Sequence, residues 1–251
     1  MTSMNRILPY CFLLLFFFVS CEREHGGENV VDTTANGEGE VVGDGLFSVS
    51  EVTKVEFAPG NLKAGGHGFT VHQYDYGGLF GWGTGNRPTI TDIEADYTDF
   101  YDWGNYNSGG LWRTLSAAEW QYLLFRREEA QSKYGMGTVW GVQGVILLPD
   151  NWVTPSNCTF KSGYEWRKNV YDLGHWAKME KAGAVFLPAA GYRWGTETAF
   201  VGGGGYYWTS TTAHPLSADA GYLCFSDAYL SVDGGRRAMG CSVRLVQEKG
   251  N

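Results

Sequence analysis

Near the carboxy terminus two runs, Tyr206-Tyr207-Trp208-Thr209-Ser210-Thr211 and Gly240-Cys241-Ser242-Val243-Arg244-Leu245-Val246, bracket a stretch dominated by small and polar residues. Aromatic and β-branched residues fit a pleated, half-buried ladder, so both runs read as strands. Between them Leu223 and Phe225 alternate with Tyr222, Cys224 and Ser226. Period-2 alternation sends Leu223 and Phe225 inward and the other three outward. The expectation is a short-stranded scaffold that displays a surface.

Further strands are expected at residues 47–57, 69–76, 145–148 and 184–187, besides 206–210, 221–225 and 241–246 of the bracket. Two helices are legible. Ser116 with Glu119 three residues on forms a capping box, and Ala117, Trp120, Leu123 and Leu124 follow at helical spacing. A second helix at residues 175–182 puts Trp176 and Met179 on one face and stops at Gly183, with His175 in a structural role. Glycine fills 36 of 251 positions, about twice the usual ~7%, and 10 Trp with 15 Tyr make a heavy aromatic load. This is the composition of a turn-rich α+β fold with few helices. Gly81-Trp82-Gly83-Thr84-Gly85 lacks the spacing of a phosphate-cradling loop and reads as an aromatic-anchored turn.

Residues 7–19 form an apolar run too short to span a membrane and interrupted by Pro9, with Arg6 ahead of it, the pattern of a signal peptide. It ends at Phe18-Val19-Ser20-Cys21, which resembles a bacterial lipobox and implies a lipid anchor on Cys21. Membrane contact is then through the anchor only, at about 0.8 kcal/mol per buried methylene. Residues 22–45 lack hydrophobic periodicity. Glu22, Glu24, Glu28, Asp32, Glu38, Glu40 and Asp44 against Arg23 supply most of the net charge of −8. Such a segment is a solvated tether. The expected organisation is a signal peptide at 1–20, a lipidated tether at 21–45, one domain at 46–247 and a tail at 248–251. No blocks of basic residues track a phosphate backbone, which argues against a nucleic-acid partner.

Trp112-Arg113-Thr114-Leu115-Ser116-Ala117-Ala118-Glu119-Trp120-Gln121-Tyr122 is similar to the R-L-P-T-x-x-E-W-E-Y signature of the formylglycine-generating enzymes, a branch of the C-type-lectin-like fold. Thr114 stands at the proline position. Leu147-Leu148-Pro149-Asp150-Asn151-Trp152 and Phe186-Leu187-Pro188-Ala189-Ala190-Gly191-Tyr192-Arg193 resemble signposts of Bacteroidetes surface lipoproteins with that fold. The resemblance spans residues 47–247. It implies a C-type-lectin-like fold and, from the acidic residues after Cys21, export to the outer face of the outer membrane. Asp32-Thr33-Thr34 resembles an O-glycosylation site of the same group.

The enzyme branch uses a close pair of carboxy-terminal thiols to bind copper, whereas Cys224 and Cys241 lie on separate expected strands and Cys158 is remote. A disulfide between Cys224 and Cys241 requires those strands to pair. His25, His67, His72, His175 and His214 form no ligand cluster, and the motifs of calcium-dependent lectins are absent. A structural calcium remains open. Asp92, Glu94, Asp96 and Asp99 read as solvated loop acids. The reading therefore assigns neither catalysis, cofactor nor metal.

Variable proteins of diversity-generating retroelements share the resemblance. It implies fixed positions at Tyr207, Trp208, Leu223, Phe225, Arg237, Gly240, Ser242, Val243, Arg244 and Leu245. It implies a ligand-binding set at Thr212, Ala213, His214, Ser217, Asp219, Tyr222, Cys224, Ser226, Asp227, Tyr229, Ser231 and Asp233. Trp194 with Gly202 to Gly205 would add a movable rim, or serve as packing and a connector. The expected function is a lipid-anchored adhesin or receptor-like module binding a protein or glycan. The second reading is a fixed polysaccharide-binding lipoprotein of a nutrient-uptake system, and the third a degenerate oxidase.

Overall fold

The computed structural model describes residues 45–83, 100–107, 110–212 and 218–250. The anchor at Cys21, the tether to residue 44, the acids at 92–99 and positions 213, 214 and 217 lie outside them. The described residues form a mixed α+β fold with two α-helices and several small, mainly antiparallel sheets.

In the first sheet β1 (Phe47–Ser48) pairs with β2 (Lys54–Phe57), β2 with β13 (Leu245–Lys249), and β13 with β3 (Arg113–Thr114). Residues 47–57 are thus a hairpin instead of one strand. Ser50 Oγ accepts Thr53 N at 2.9 Å, and Val49 N donates to Thr53 O at 3.0 Å, so the hydroxyl competes for the backbone and turns it. The second sheet has the order β6 (Val170–Tyr171), β4 (Tyr134–Val139), β5 (Val142–Leu147), β7 (Val185–Pro188). The third runs β10 (Gly204–Thr212), β11 (Asp219–Ser226), β12 (Leu230–Arg236), and a hairpin joins β8 (Tyr192–Trp194) to β9 (Glu197–Ala199).

Helix α1 (Ala117–Phe125) starts at the expected capping box: Ser116 Oγ accepts Glu119 N at 3.2 Å while Glu119 Oε2 accepts Ser116 N at 2.8 Å. Its buried residues Trp120, Leu123 and Leu124 join a core with Phe57, Leu187, Tyr207, Leu223 and Phe225. Arg113 grips Glu119 with two hydrogen bonds of 3.0 and 2.6 Å, which tie β3 to α1. The carboxylate loses solvation on burial, but the bonds from Arg113 and Ser116 outweigh that and hold its pKa below the usual range. Helix α2 (Leu173–Lys181) begins two residues earlier than expected because Asp172 Oδ1 accepts His175 N at 2.8 Å. Trp176 and Met179 are its core residues, and Gly183 at φ 95° ends it in the left-handed region.

Residues 69–76 do not form a strand. Asp75 Oδ2 accepts His72 N, Thr70 N donates to Asn61 O, and the bend delivers Gln73 to Phe186 N at 2.7 Å. Residues 241–246 are not one strand either. Ser242 brackets β10, donating its N–H to Tyr206 O at 2.8 Å and accepting Trp208 N at 2.9 Å, and the chain then crosses into β13. Arg244 stands at that crossing, fully buried.

Candidate ligand-binding surface

In the third sheet Tyr207 pairs with Leu223, Gly205 with Phe225, Tyr206 with Cys224 and Trp208 with Tyr222. Across the other ladder Tyr222 faces Asp233, Leu223 faces Val232, and Cys224 faces Ser231. One face therefore carries Tyr207, Leu223, Phe225 and Leu230 into the core shared with α1. Strand β10 is held from the other side by indoles: Trp82 Nε1 donates to Thr209 O at 2.8 Å, and Trp208 Nε1 donates to Phe80 O. Trp82 is thus a buried anchor, with the Arg237 guanidinium 4.7 Å from its ring centroid, while Thr84 and Gly85 of its expected turn lie outside the described residues.

The expected ligand-binding residues divide: Thr212, Tyr222, Cys224, Ser226, Ser231 and Asp233 share the opposite face, Asp227 and Tyr229 sit in the β11–β12 turn, and Asp219, against expectation, has the parity of Leu223 on the core face. Asp227, Tyr229 and Asp233 are exposed, whereas Thr212, Asp219, Tyr222, Ser226 and Ser231 are partly buried. Tyr229 is 40% exposed. The turn joining β11 to β12 is fixed by Ser226, whose N–H donates to Tyr229 O at 2.9 Å and whose Oγ accepts Ala228 N at 3.1 Å.

Cys224 corrects the alternation argument. It shares the strand face of Tyr222 and Ser226 but is buried, with its Sγ 3.2 Å from Ser231 Oγ. Alternation assigned the face correctly, but that face is not open: Trp208 and Ala220 on it are buried with Phe80 and Trp82, and Tyr206 and Tyr222 pack against that cluster. Burial raises the Cys224 thiol pKa, with the Ser231 bond opposing and Asp233 adding to the rise, and raises that of Cys241 well above the usual value. Both shifts disfavour the thiolate that metal binding and nucleophilic attack require. Neither Cys224 nor Cys241 is in a disulfide. The Ser242 segment and β11 lie on opposite sides of β10. Two strand spacings of about 4.8 Å exceed the reach of a disulfide between Cys224 and Cys241.

The glycine run forms a hydrogen-bonded turn that leads into β10. Gly202 N donates to Ala189 O, Gly203 N and Gly204 N both donate to Phe200 O, and Gly204 and Gly205 open β10. A Cβ at Gly205 would stand 2.1 Å from the Phe225 ring, so close sheet packing requires glycine there. Trp194 is 40% exposed at the end of β8.

Three aromatic rings outside the expected set, Phe200, Tyr192 and Tyr206, lead up to Tyr222 at the border of this surface. Phe200 lies 5.9 Å from Tyr192, Tyr192 lies 5.0 Å from Tyr206, and Tyr206 lies 5.6 Å from Tyr222, centroid to centroid. Burial and the Tyr229 hydroxyl bond raise the Tyr206 pKa, and burial followed by nearby Cys224 and Asp233 raises that of Tyr222, so both remain neutral donors at physiological pH. The available signal was an apolar Phe200-Val201 pair immediately before four glycines.

A separate cleft of about 520 Å³ contains Glu56, Gln73, Trp112 and Glu180. None of the expected ligand-binding residues lines it, and its acids have partners: Glu56 pairs with Lys249 at 2.7 Å and Glu180 accepts Gln73 Nε2 at 2.8 Å. Among the described residues no three His, Cys, Asp or Glu gather as metal ligands, and no helix is long and apolar enough to cross a membrane. No family model, curated protein or solved structure matches this chain.

Proposed function

We propose that this protein is a binding module, adhesin-like or receptor-like, anchored by lipid on Cys21 and facing the cell exterior. The observation that carries the reading is the β11–β12 end of the third sheet, where exposed Asp227 and Tyr229 of the turn and Asp233 of β12 stand beside partly buried Tyr222, Ser226 and Ser231. Tyrosine gives rigid contact area at small entropic cost, and Ser and Asp give adaptable hydrogen bonds. The finer fold reading, a C-type-lectin-like domain of the formylglycine-generating type, is proposed with it. Its support is that the signature residues Arg113, Ser116, Glu119 and Trp120 act together at the α1 junction.

The aromatic strip beside the surface favours polysaccharide binding as the second reading. The buried, separated Cys224 and Cys241 do not favour the oxidase reading. We also propose that the segment from Thr212 to Cys241 is diversified. Population sequencing of its codons should then find substitutions at Asp227, Tyr229 and Asp233 and none at Tyr207, Leu223 or Phe225; a uniform segment means one fixed ligand.

Two experiments test the module itself. Cys21→Ser should move the protein from the membrane to the soluble fraction, and external protease should shave the domain from intact cells. On protein and glycan arrays a variant carrying Asp227→Ala, Tyr229→Ala and Asp233→Ala should lose the signal of the parent while keeping its thermal midpoint. Equal array binding by parent and variant would remove this surface from recognition.

A further inference from the structure

Phe200 holds a backbone conformation that its side chain makes costly. Its φ of 58° lies in the left-handed region, where a bulky residue is strained by about 1–3 kcal/mol. The phenyl ring is 62% exposed, so burial offsets little of that strain. The turn itself needs only the backbone: the Phe200 carbonyl accepts Gly203 N at 2.9 Å and Gly204 N at 3.0 Å. Glycine would make the same turn without strain. What position 200 supplies is therefore the ring, stacked on Tyr192 with 26° between their planes.

The rings continue from Tyr192 to Tyr206 and Tyr222 at steep angles, 79° and 77°, and the Tyr229 hydroxyl meets that of Tyr206. Strand alternation puts Trp194 on the Tyr192 face of β8. Hydroxyls and carboxylates flank this strip at Ser226, Ser231, Asp227 and Asp233, and Glu197 stands opposite Trp194. Aromatic faces beside hydroxyl donors and carboxylate acceptors match a pyranose ring, which has C–H faces and a hydroxylated rim. The local carboxylates disfavour an anionic ligand.

From this we infer that the strip from Phe200 to Tyr229 binds an uncharged glycan, with Phe200 as a stacking residue and Asp233 as a hydroxyl acceptor. The inference rests on the binding-module reading and names its ligand class. The test is affinity electrophoresis and calorimetry of the full chain with soluble xylan, mannan, mixed-linkage β-glucan and α-glucan, with polygalacturonate as the anionic comparison. At least one neutral polysaccharide should bind and polygalacturonate should not. Phe200→Gly should weaken that binding about tenfold with an unchanged or higher thermal midpoint, and Phe200→Trp should retain it.

Unchanged affinity in Phe200→Gly, or a sharp fall in its midpoint, would overturn the stacking role. Failure of every neutral polysaccharide to bind, or binding of polygalacturonate alone, would overturn the ligand class. Protein-array binding that the Asp227, Tyr229 and Asp233 substitutions abolish would, in that case, leave the module reading standing with a protein ligand.

Discussion

Arg244 Nε donates to Asn61 Oδ1 at 2.9 Å in the fully buried interior, joining residues from the two ends of the domain. The other guanidinium bonds go to neutral acceptors too: Ala58 O at 3.2 Å, Gln73 Oε1 at 3.4 Å and Phe186 O at 2.8 Å. Burial pushes the Arg244 pKa down to about 10, with Tyr207 and Glu180 opposing the fall. Its charge is held at a cost that these acceptors offset. Asn61 also donates to Tyr207 Oη at 3.0 Å, and Tyr207 donates to Pro188 O at 2.8 Å, so one amide orients both groups.

Asn61→Ala should therefore destabilise the fold by about 3 kcal/mol, because it strips an acceptor from a buried charge. Chemical denaturation reads the loss. A change under about 0.5 kcal/mol, the scale of an ordinary surface substitution, would mean that the network is not a stability determinant.

Asp150 joins the first and second sheets. Its carboxylate accepts Ser48 Oγ at 2.7 Å and Arg127 Nη1 at 3.1 Å, with Lys54 Nζ 3.3 Å away. Burial raises the carboxyl pKa, but the two Ser48 bonds and the Arg127 charge outweigh it and leave a depressed value. The unfolded value is about 3.9. Stabilisation from this group is thus complete above that pH and is lost as pH falls through the folded value. Asp150→Asn should cost about 3 kcal/mol at neutral pH, because Arg127 stays buried without its counter-charge. The variant should also show a shallower acid limb in stability against pH, and parallel acid limbs would remove the linkage.

Local signals in the sequence found local structure. Ser116 and Glu119 mark the start of α1, Gly183 marks the end of α2, and the alternation of Leu223 and Phe225 identifies the core face of β11. The failures have tertiary causes. The 69–76 run is rich in the aromatic and β-branched residues of a strand, yet Gln73 bonds across to Phe186 and the chain bends to deliver it. Residues 241–246 have strand composition throughout, but the transfer from β10 to β13 is fixed by partners far away in sequence. Cys224 alternates away from the α1 core onto a face that itself carries buried Trp208 and Ala220, and period-2 reasoning carries no information about packing on the second face. The strip from Phe200 to Tyr222 was hidden for the same reason, since Tyr192 comes from β8 and Tyr206 and Tyr222 from different strands of the third sheet.

Gly191 decides whether β8 can reach the surface. Its φ is 68°, and a Cβ there would stand 2.1 Å from Ala199 O. Gly191→Ala combines left-handed strain with a backbone clash and should cost about 3 kcal/mol or more. Gly202 has a φ of 80°, but a Cβ there would meet open space, with nothing within 4 Å. Gly202→Ala should lose only about 1 kcal/mol. Equal thermal shifts in the two variants would show that the clash at Gly191 relaxes freely.

Tyr222 and Tyr229 separate recognition from packing within one surface. Tyr229 is 40% exposed at the β11–β12 turn, whereas Tyr222 lies 6.0 Å from Trp208, ring centroid to ring centroid, and packs against the buried cluster that includes Phe80, Trp82 and Leu245. Tyr229→Ala should weaken ligand binding and change stability by less than about 0.5 kcal/mol. Tyr222→Ala removes a half-buried ring and should cost about 2 kcal/mol, roughly 4–8 °C in thermal midpoint. A large fall in midpoint for Tyr229→Ala would make it a core residue and end its assignment to the displayed surface. An unchanged midpoint for Tyr222→Ala would instead show that its ring contributes little to the core.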